Sequence, residues 1–347
     1  MLKNLRLLLI ITIKKGVINM NIKKIGLTAL AGSLVATSAY AGSLSASGSA
    51  GITFSGNDTG TEGGSWSMGD GVTFTGSGEM DNGMTVSVTY ELDDANTNGN
   101  VFDDRLLKID TNGFGVITFG GHGASNAMGA VDDVTPTAYG ESWDILGTAN
   151  DVENANTGTS IFNAIGSASS NNMFHYSSGD LVDGFSIKAS YVPSNGSAQV
   201  ESSTDFAVEY SGMEGLTVGY AAGEYNSEGG TSNSDRTTMY IKYAYGPVTV
   251  GYQESEMDTN KATTDDEFEA MGITYQVNDD LTIGYNESTY KDAATTTVDQ
   301  ENSNISATYT MGSMTLSVAM AEEKNRGGST QLADDVKGYA VDLAFAF

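Results

Sequence analysis

Residues 339–347 read YAVDLAFAF and end the 347-residue chain. A large apolar side chain stands at every second position of this stretch, and small or acidic residues fill the positions between. A period of two is that of a β-strand with one apolar face, whereas an amphipathic helix repeats about every 3.6 residues. The stretch therefore predicts a strand whose apolar face consists of Tyr339, Val341, Leu343, Phe345 and Phe347.

The same alternation recurs from Gly42 onward and divides the chain into sixteen segments. We predict strands at residues 43–54, 67–80, 83–93, 103–111, 114–121, 171–179, 183–193, 204–212, 215–225, 236–245, 247–257, 267–277, 280–290, 301–311, 313–324 and 336–347. A tilted strand needs about ten residues to cross a bilayer, which matches these lengths. Because the number of segments is even, the first strand can pair antiparallel with the last and close the sheet.

The apolar faces of these segments carry almost no charge, whereas Lys, Glu and Asp occur on the opposite, polar faces. A soluble sandwich buries its apolar faces and shows a charged exterior. A closed barrel in lipid turns the apolar face outward instead and leaves no unpaired edge. Short polar turns alternate with long acidic or glycine-rich loops, as expected when one end of the sheet faces the assembly side. The pattern predicts an all-β fold, a transmembrane antiparallel β-barrel of 16 strands.

Composition narrows the functional classes. The chain has no Cys, so neither a disulfide nor a Cys-based metal site can form. Its formal net charge of -28 argues against nucleic acid as a partner, because a phosphate backbone requires a basic surface. No Ser-His catalytic constellation stands out, and we expect His122 and His175 to be hydrogen-bonded polar residues. The sequence thus predicts neither an enzyme nor a resident cofactor.

The N-terminus carries the pattern of an export signal. Residues 20–41 (MNIKKIGLTALAGSLVATSAYA) combine basic Lys23 and Lys24, an apolar segment and small residues before a cleavage site after Ala41. Residues 1–19 are also basic and apolar, and they fit a misplaced start codon, a longer signal or a membrane anchor. We therefore predict a signal peptide at residues 1–41 and a barrel at residues 42–347.

One long connection interrupts the regular series. Residues 122–170 lie between the fifth and sixth predicted strands and contain no Lys or Arg. A connection of this length is usually functional or disordered. Its acids are Asp132, Asp133, Glu141, Asp144, Asp151 and Glu153.

Several stretches resemble the Gram-negative general porins, in particular the sixteen-stranded porins of alphaproteobacteria. They are the signal peptide ending Ala39-Tyr40-Ala41, residues 76–83 (GSGEMDNG), residues 105–110 (RLLKID) with 114–120 (FGVITFG), and the terminal residues 339–347. The resemblance implies an outer-membrane barrel that passes ions and small hydrophilic solutes and assembles as a homotrimer. The terminal strand looks like the signal by which the barrel-assembly machinery recognises its substrates, carried by Tyr339, Val341, Leu343, Phe345 and Phe347.

In that family the third external loop follows the fifth strand and folds into the lumen, and here that position belongs to residues 122–170. Its six acids would form a carboxylate rim, and charged rings of this kind favour cations. Alternation turns Lys108, Lys188 and Lys242 toward the lumen to face them. Arg105 lies out of phase with Lys108 and Arg236 stands at a strand start, so we expect no inward arginine and a preference for cations.

Alternatives remain for the acids, the lysines and the whole chain. The loop acids could be solvated, or they could bind a divalent cation such as calcium that stiffens the loop, and the lysines could merely keep the lumen wall soluble. Because basic residues are scarce, divalent cations at acidic loops would bridge to lipopolysaccharide phosphates. The rival functions are a calcium-binding structural or adhesive surface protein and a substrate-specific channel of the same fold.

Overall fold

The computed structural model describes residues 42–58, 64–93, 102–131, 134–146, 171–179, 181–194, 202–226, 233–259, 265–292, 298–326 and 335–347. Within them lie sixteen strands, β1 (Ser43–Asn57), β2 (Ser65–Glu79), β3 (Thr85–Asp93), β4 (Arg105–Asp110), β5 (Val116–His122), β6 (Met173–Ser177), β7 (Phe185–Val192), β8 (Ser203–Met213), β9 (Leu216–Tyr225), β10 (Ser234–Tyr245), β11 (Val248–Thr259), β12 (Asp266–Gln276), β13 (Leu281–Asp292), β14 (Gln300–Met311), β15 (Met314–Lys324) and β16 (Val336–Ala346). A short helix, α1 (Ser142–Leu146), lies between β5 and β6. In the described part of the chain, no helix is long and apolar enough to cross a membrane.

The strands form one closed antiparallel barrel in which each strand pairs with its neighbours in sequence and β1 pairs with β16. At the seam, Ala50 lies opposite Phe345 and Phe54 lies opposite Val341. The amide N–H of Phe347 donates to the Gly48 carbonyl and the Gly48 N–H donates back, both at 2.8 Å. Closure leaves no strand edge to be satisfied by lipid. The predicted number of strands and their closure are confirmed.

The two faces of the sheet differ as the alternation predicts. On β10, Met239, Ile241 and Tyr243 are exposed on the outer face, whereas Thr238 and Tyr240 are buried on the inner face. On β16 the outer face carries the predicted apolar set, Tyr339, Val341, Leu343, Phe345 and, just beyond the strand, Phe347. An outer face of large apolar side chains is suited to contact with lipid.

The short turns occur where they were predicted, at one end of the barrel. Gly246, between β10 and β11, has φ of 56°, and Gly312, between β14 and β15, has φ of 63°. Side chains with a Cβ rarely adopt this left-handed conformation, which explains glycine at both positions. These tight turns fix the register of the hairpins that they join.

The first two strands extend beyond their predicted bounds. Their ladder runs without a break from Ser43 opposite Ser77 to Ser55 opposite Ser65, so both strands have 15 residues. Glycine and serine weaken the apolar alternation there, but backbone hydrogen bonding does not depend on side-chain size. The predicted signal peptide lies outside the described residues and stays a prediction.

Candidate pore and its constriction loop

The inner wall of the barrel is lined by small polar side chains. Inward-facing residues include Thr118 on β5, Ser190 on β7, Ser255 on β11, Asn286 on β13, Asn302 on β14 and Ser317 on β15. A barrel of sixteen strands is too wide for wall side chains to fill. The wall is therefore suited to a water-filled lumen.

Residues 123–131 and 134–146, which we name the constriction loop, lie against this inner wall. The Ala127 N–H donates to Ser190 Oγ at 2.7 Å and to Asp205 Oδ1 at 3.2 Å, on β7 and β8. Farther along, the Val134 N–H donates to Gln253 Oε1 on β11 at 3.0 Å. The loop thus crosses several strands on their lumen side.

The second half of the loop is held by β14. The Tyr139 N–H donates to Ser306 Oγ at 3.1 Å, and the Thr308 hydroxyl donates to the Ala138 carbonyl at 2.7 Å. The Asn304 side-chain amide donates to the Gly140 carbonyl at 2.8 Å. These bonds satisfy loop backbone groups that would otherwise be buried without partners.

An apolar cluster anchors the first half. Met128 and Val131 of the loop are fully buried against Met257, Phe268 and Tyr290, which project inward from β11, β12 and β13. Large apolar residues are unexpected on the polar face of a porin-like strand. Sequence reasoning missed these residues, although their inward positions in the alternation are a signal that could have shown that something covers the wall there.

Three inward-facing glycines form the surface on which the middle of the loop rests, and we name them the glycine seat: Gly251, Gly272 and Gly284. A Cβ at Gly251 would lie 2.5 Å from Cδ of Pro136, and one at Gly272 would lie 2.3 Å from the Pro136 carbonyl oxygen. At Gly284 it would lie 2.7 Å from the Ala138 nitrogen. Only glycine permits this approach of loop to wall, and sequence reasoning missed all three positions.

Helix α1 ends the described part of the loop against β15 and β16. Ile145 and Leu146 pack with Ala319, Val336 and Ala340. The loop therefore contacts the inner wall at β7, β8, β11 and β14 before it packs on β15 and β16. These contacts span much of the circumference of the barrel. Because the loop lies on the lumen side of the strands from β7 to β16, it reduces the cross-section of the lumen there.

Two of the six predicted loop acids fall in the described residues. Glu141 is buried, with 4 % of its surface exposed, while Asp144 is exposed and accepts a hydrogen bond from the Glu141 N–H at 3.1 Å. Of these two, Asp144 alone presents its carboxylate at the surface. Asp132, Asp133, Asp151 and Glu153 lie outside the described residues, and their place on the rim stays a prediction.

Asp342 on β16 adds an acid that sequence reasoning did not single out. It occupies an inward position and accepts a hydrogen bond from the Thr53 hydroxyl at 2.7 Å. Burial, and then the nearby carboxylates of Asp342 and Asp144, raise the pKa of the Tyr139 phenol above its ordinary value. Asp144 belongs to helix α1, which packs against β15 and β16, so it lies on the same side of the lumen as Asp342 of β16. The alternation of residues 339–347 already marked Asp342 as inward.

A basic wall lies on β4, β6 and β7, and we define it as Lys108, His175 and Lys188. Lys108 pairs with Thr118, and Thr118 pairs with His175 on the next strand. Residues paired directly across a sheet share one face, so all three point into the lumen. A ring nitrogen of His175 lies 2.9 Å from Ser190 Oγ. The inward phase predicted for Lys108 and Lys188 agrees with this register.

Lys188 is accompanied by an inward acid. Its Nζ lies 4.0 Å from Oε2 of Glu209 on β8, which also accepts a 2.5 Å hydrogen bond from the Tyr240 hydroxyl. An ion pair at a wet surface is weak, but it reduces the positive charge that the basic wall presents. His122, the other histidine, donates Nδ1–H to the Asp103 carbonyl.

Lys242 faces inward but lies apart from the basic wall. It lines a cavity of about 570 Å³ with Pro136 of the loop, with Ser211 near the end of β8 and with Gly215 in the short β8–β9 turn. The cavity is on the short-turn side of the loop. The structure thus brings together Lys108 and Lys188 but not Lys242.

The prediction that no arginine faces inward is wrong. Strand β10 begins at Ser234, two residues earlier than predicted, and Arg236 lies on the same face as Thr238 and Tyr240. It is 4 % exposed, its Nε donates to Ser234 Oγ at 3.0 Å, and its guanidinium lies 5.9 Å from the Tyr225 ring centroid. Arg236 is therefore part of the buried wall and not of the water-facing surface.

Among the described residues, no group of three or more His, Cys, Asp or Glu side chains is placed to hold a metal ion. Most of the acids for which calcium was considered lie outside that part of the chain. Calcium at the loop acids stays a prediction.

Comparison with known proteins agrees with this architecture. A family model described as Gram-negative porin matches residues 26–329. The chain belongs to the Gram-negative porin family. The porin is thus a channel protein of the outer membrane. A search of curated proteins found no match to its sequence.

Solved structures similar to this porin share its fold at low identity. The anion-selective porin from Comamonas acidovorans has 15% identity and a TM-score of 0.66, with 88% of this chain and 99% of that one covered. OmpF of Salmonella typhi in complex with daunomycin has 18% identity and a TM-score of 0.65, with 88% and 97% covered. A triple mutant of the Rhodopseudomonas blastica porin has 14% identity and a TM-score of 0.64, with 88% and 100% covered. Likeness at this identity supports the fold and leaves ion preference to the side chains of this porin.

Proposed function

We propose that this porin is a general diffusion channel that passes ions and small hydrophilic solutes down their gradients and prefers cations. The observation that carries the proposal is the constriction loop lying against the inner wall of a closed barrel. A polar lumen with a narrowing segment sorts solutes by size and charge. The chemistry needs no cofactor and no energy source.

The charges around the lumen support the preference for cations. Asp144 on α1 and Asp342 on β16 lie together, and the positive charge of the basic wall on β4, β6 and β7 is partly offset by Glu209. The net charge of the chain is -28, and Asp132 and Asp133 would add to the acidic side. A separated pair of opposite charge clusters also sets a field across the lumen that orients dipolar solutes.

We propose further that the porin assembles as a homotrimer, as the family resemblance implies. Assembly would begin with recognition of the terminal strand by the barrel-assembly machinery. Divalent cations would link acidic external loops to lipopolysaccharide phosphates, since the chain has only 16 basic residues. These partners rest on the family resemblance and on composition.

The ion preference is tested by reconstituting the porin in a planar bilayer under a gradient of potassium chloride. We expect a reversal potential on the cation side, and a smaller one when Asp132 and Asp133 are changed to Asn. A reversal potential on the anion side would refute the cation preference. Repeating the measurement with and without calcium tests whether the loop acids bind that ion.

A further inference from the structure

The cavity that Lys242 lines is on the short-turn side of the constriction loop, and we name it the short-turn cavity. Its volume of about 570 Å³ is within the range of small-molecule sites, about 300–1,000 Å³. Pro136, which rests on the glycine seat, borders it on the side of the constriction. Hydroxyl side chains of the loop and of four strands also line it: Thr137, Ser211, Thr217, Thr249 and Thr274. Short turns of an outer-membrane barrel face the periplasm, so the cavity is at the periplasmic end of the path.

The register of the strands explains why these side chains border one space. Lys242 on β10 pairs with Thr217 on β9 and with Gly251 on β11. At the next position of the same face toward the short turns, Thr249 of β11 pairs with Thr274 of β12. Residues paired directly across a sheet share one face, so the ammonium and the three hydroxyls all point into the lumen. Gly251 adds no side chain beside Lys242, which leaves room next to the ammonium.

The ammonium group of Lys242 is unpaired. Within the described residues it makes no ion pair and no hydrogen bond, whereas Lys188 Nζ lies 4.0 Å from Glu209. The hydroxyls of Thr249 and Thr274 also have no hydrogen-bond partner in that part of the chain. In a chain with 44 acidic and 16 basic residues, a half-buried lysine without an acid is an exception. The cavity therefore offers a solute one cation and several hydroxyl groups.

Glu214 is the only acid among the described residues that line the cavity. It is exposed in the β8–β9 turn, at the open end, whereas Lys242 lies on the wall of β10. An anion bound at Lys242 is therefore within the field of one carboxylate at the rim. This arrangement favours a solute with a single negative charge, since a second one would face Glu214 without a cation of its own.

We propose that the short-turn cavity binds a small hydroxylated carboxylate, of the sugar-acid class, on its way between the constriction and the periplasm. The inference rests on the proposed function, because the solute reaches the cavity through the lumen. The carboxylate contacts the Lys242 ammonium, and the solute hydroxyls exchange hydrogen bonds with Thr249 and Thr274. Pro136 offers an apolar surface to the carbon skeleton. Hydroxyl side chains both donate and accept, which suits them to a polyol.

Two other classes of solute fit the cavity less well. A neutral sugar can use the threonines but not the ammonium, and hydrogen bonds to a charged group are about twice as strong as neutral ones. A sugar phosphate carries a second negative charge, which the single ammonium leaves uncompensated. The site is wet, so binding is weak and falls with rising salt. It is compatible with a preference for cations, because the constriction, and not this cavity, sets the ratio of ions that pass.

The test is single-channel recording in a planar bilayer with gluconate added to one side at a time. Sorbitol is the uncharged analogue, and glucose 6-phosphate is the doubly charged one. We expect a concentration-dependent block by gluconate that exceeds the effect of both and that is stronger from one side. Lys242→Gln should weaken the apparent affinity about fivefold or more, because it removes a charge-assisted contact. Glu214→Gln should strengthen it.

Lys108→Gln is the matched control, because Lys108 is also an inward lysine but does not line the cavity. It should weaken the block by gluconate no more than about twofold, as expected for a distant charge at a wet surface. The double change Thr249→Val and Thr274→Val removes hydroxyls at similar volume and should weaken the block by gluconate and by sorbitol alike.

Saturation-transfer NMR of the detergent-purified porin with gluconate and with sorbitol detects binding without conduction. If conductance steps are absent, the proposed function fails, and the NMR measurement still decides whether the cavity binds. Folding is checked by heat-modifiable migration, and Lys242→Gln decides the question if the threonine pair does not fold. Equal binding of sorbitol or stronger binding of glucose 6-phosphate would overturn the proposal. So would an affinity that Lys242→Gln lowers no more than Lys108→Gln does.

Discussion

At the scale of single residues, we propose that a few charged side chains facing the lumen set the charge that a passing ion meets. Asp144 and Asp342 lie on helix α1 and on β16, while Lys108 and Lys188 lie on β4 and β7. These groups are partly hydrated, so each one contributes a modest electrostatic energy. Under this proposal, the sum of these charges determines the ion preference, and no single residue does so alone.

Asp144→Asn should lower the ratio of cation to anion permeability by about twofold, because it removes one carboxylate worth less than about 1 kcal/mol at a wet surface. Reversal potentials under a salt gradient measure the ratio. The matched control is Asp279→Asn in the exposed β12–β13 turn, which should leave the ratio unchanged. An equal effect of both substitutions would show that Asp144 does not act at the constriction.

Lys188→Gln should change the same ratio in the opposite direction. The substitution removes the positive charge of Lys188, whose Nζ lies 4.0 Å from Glu209 Oε2. The negative charge of Glu209 is then no longer offset and attracts cations in the lumen. We expect a rise of about twofold, within the range of an exposed ion pair. Lys291→Gln on the outer face is the control, and a fall in the ratio for Lys188→Gln would contradict the assignment.

The phase of Lys108, Lys188 and Asp342 was predictable, because alternation fixes the face of every residue in a regular strand. The loop acids were not predictable one by one. Glu141 is buried and Asp144 is exposed, although the two are only three residues apart. That difference depends on the path of the loop and on helix α1, which no periodic pattern specifies. Arg236 was missed because strand β10 begins two residues earlier than the apolar pattern does.

At the scale of elements, the position of the constriction loop depends on contacts made by β11 to β14. Buried Phe268 and Tyr290 anchor its first half, and the glycine seat accommodates Pro136 and Ala138. Inward glycines and inward aromatic residues are both exceptions to the polar pattern of the wall. Sequence reasoning did not single out these exceptions, because their meaning depends on which segment covers them.

Gly272→Ala should displace the constriction loop. The added Cβ would lie 2.3 Å from the Pro136 carbonyl oxygen and 3.1 Å from its carbon and nitrogen, so backbone atoms must move. Overpacking of this kind costs about 1–3 kcal/mol. We expect an altered single-channel conductance and more frequent current fluctuations.

Gly69→Ala on β2 is the matched control, since nothing lies within 4 Å of a Cβ there. Its current traces should be those of the original porin. If Gly272→Ala behaves like Gly69→Ala, the glycine seat does not position the loop.

At the scale of the whole molecule, closure of the barrel brings the first and last strands together. Phe347 exchanges two backbone hydrogen bonds with Gly48, and a Cβ on Gly48 would lie 2.7 Å from the Phe347 ring. The ring is 77% exposed on the outer face. Phe347 is therefore positioned to join the seam and to remain accessible from outside.

Deletion of Phe347 should reduce the amount of folded barrel in the outer membrane several-fold, because the terminal aromatic ring and the two backbone hydrogen bonds between Phe347 and Gly48 are lost. Heat-modifiable migration of membrane fractions measures the folded amount. Met213→Ala, at another exposed outer position near a short turn, serves as control. Unchanged folding after the deletion would show that the terminal residue is not part of the assembly signal.

The architecture was more predictable than the site because one simple rule acts along the whole wall. Outward positions within the hydrocarbon region must be apolar to meet lipid, so the alternation is weakened but not lost where glycine is frequent, as in β1 and β2. Tight turns such as those at Gly246 and Gly312 mark the hairpins. The constriction loop obeys no such rule, since its contacts are specific to each position of the inner wall.

Single-channel recording in a planar bilayer tests most directly whether this barrel is an open channel narrowed by its loop. In symmetric potassium chloride we expect discrete conductance steps that are ohmic at low voltage, with a step size that Gly272→Ala changes and Gly69→Ala does not. Insertion of folded protein without conductance steps would contradict the existence of a water-filled path.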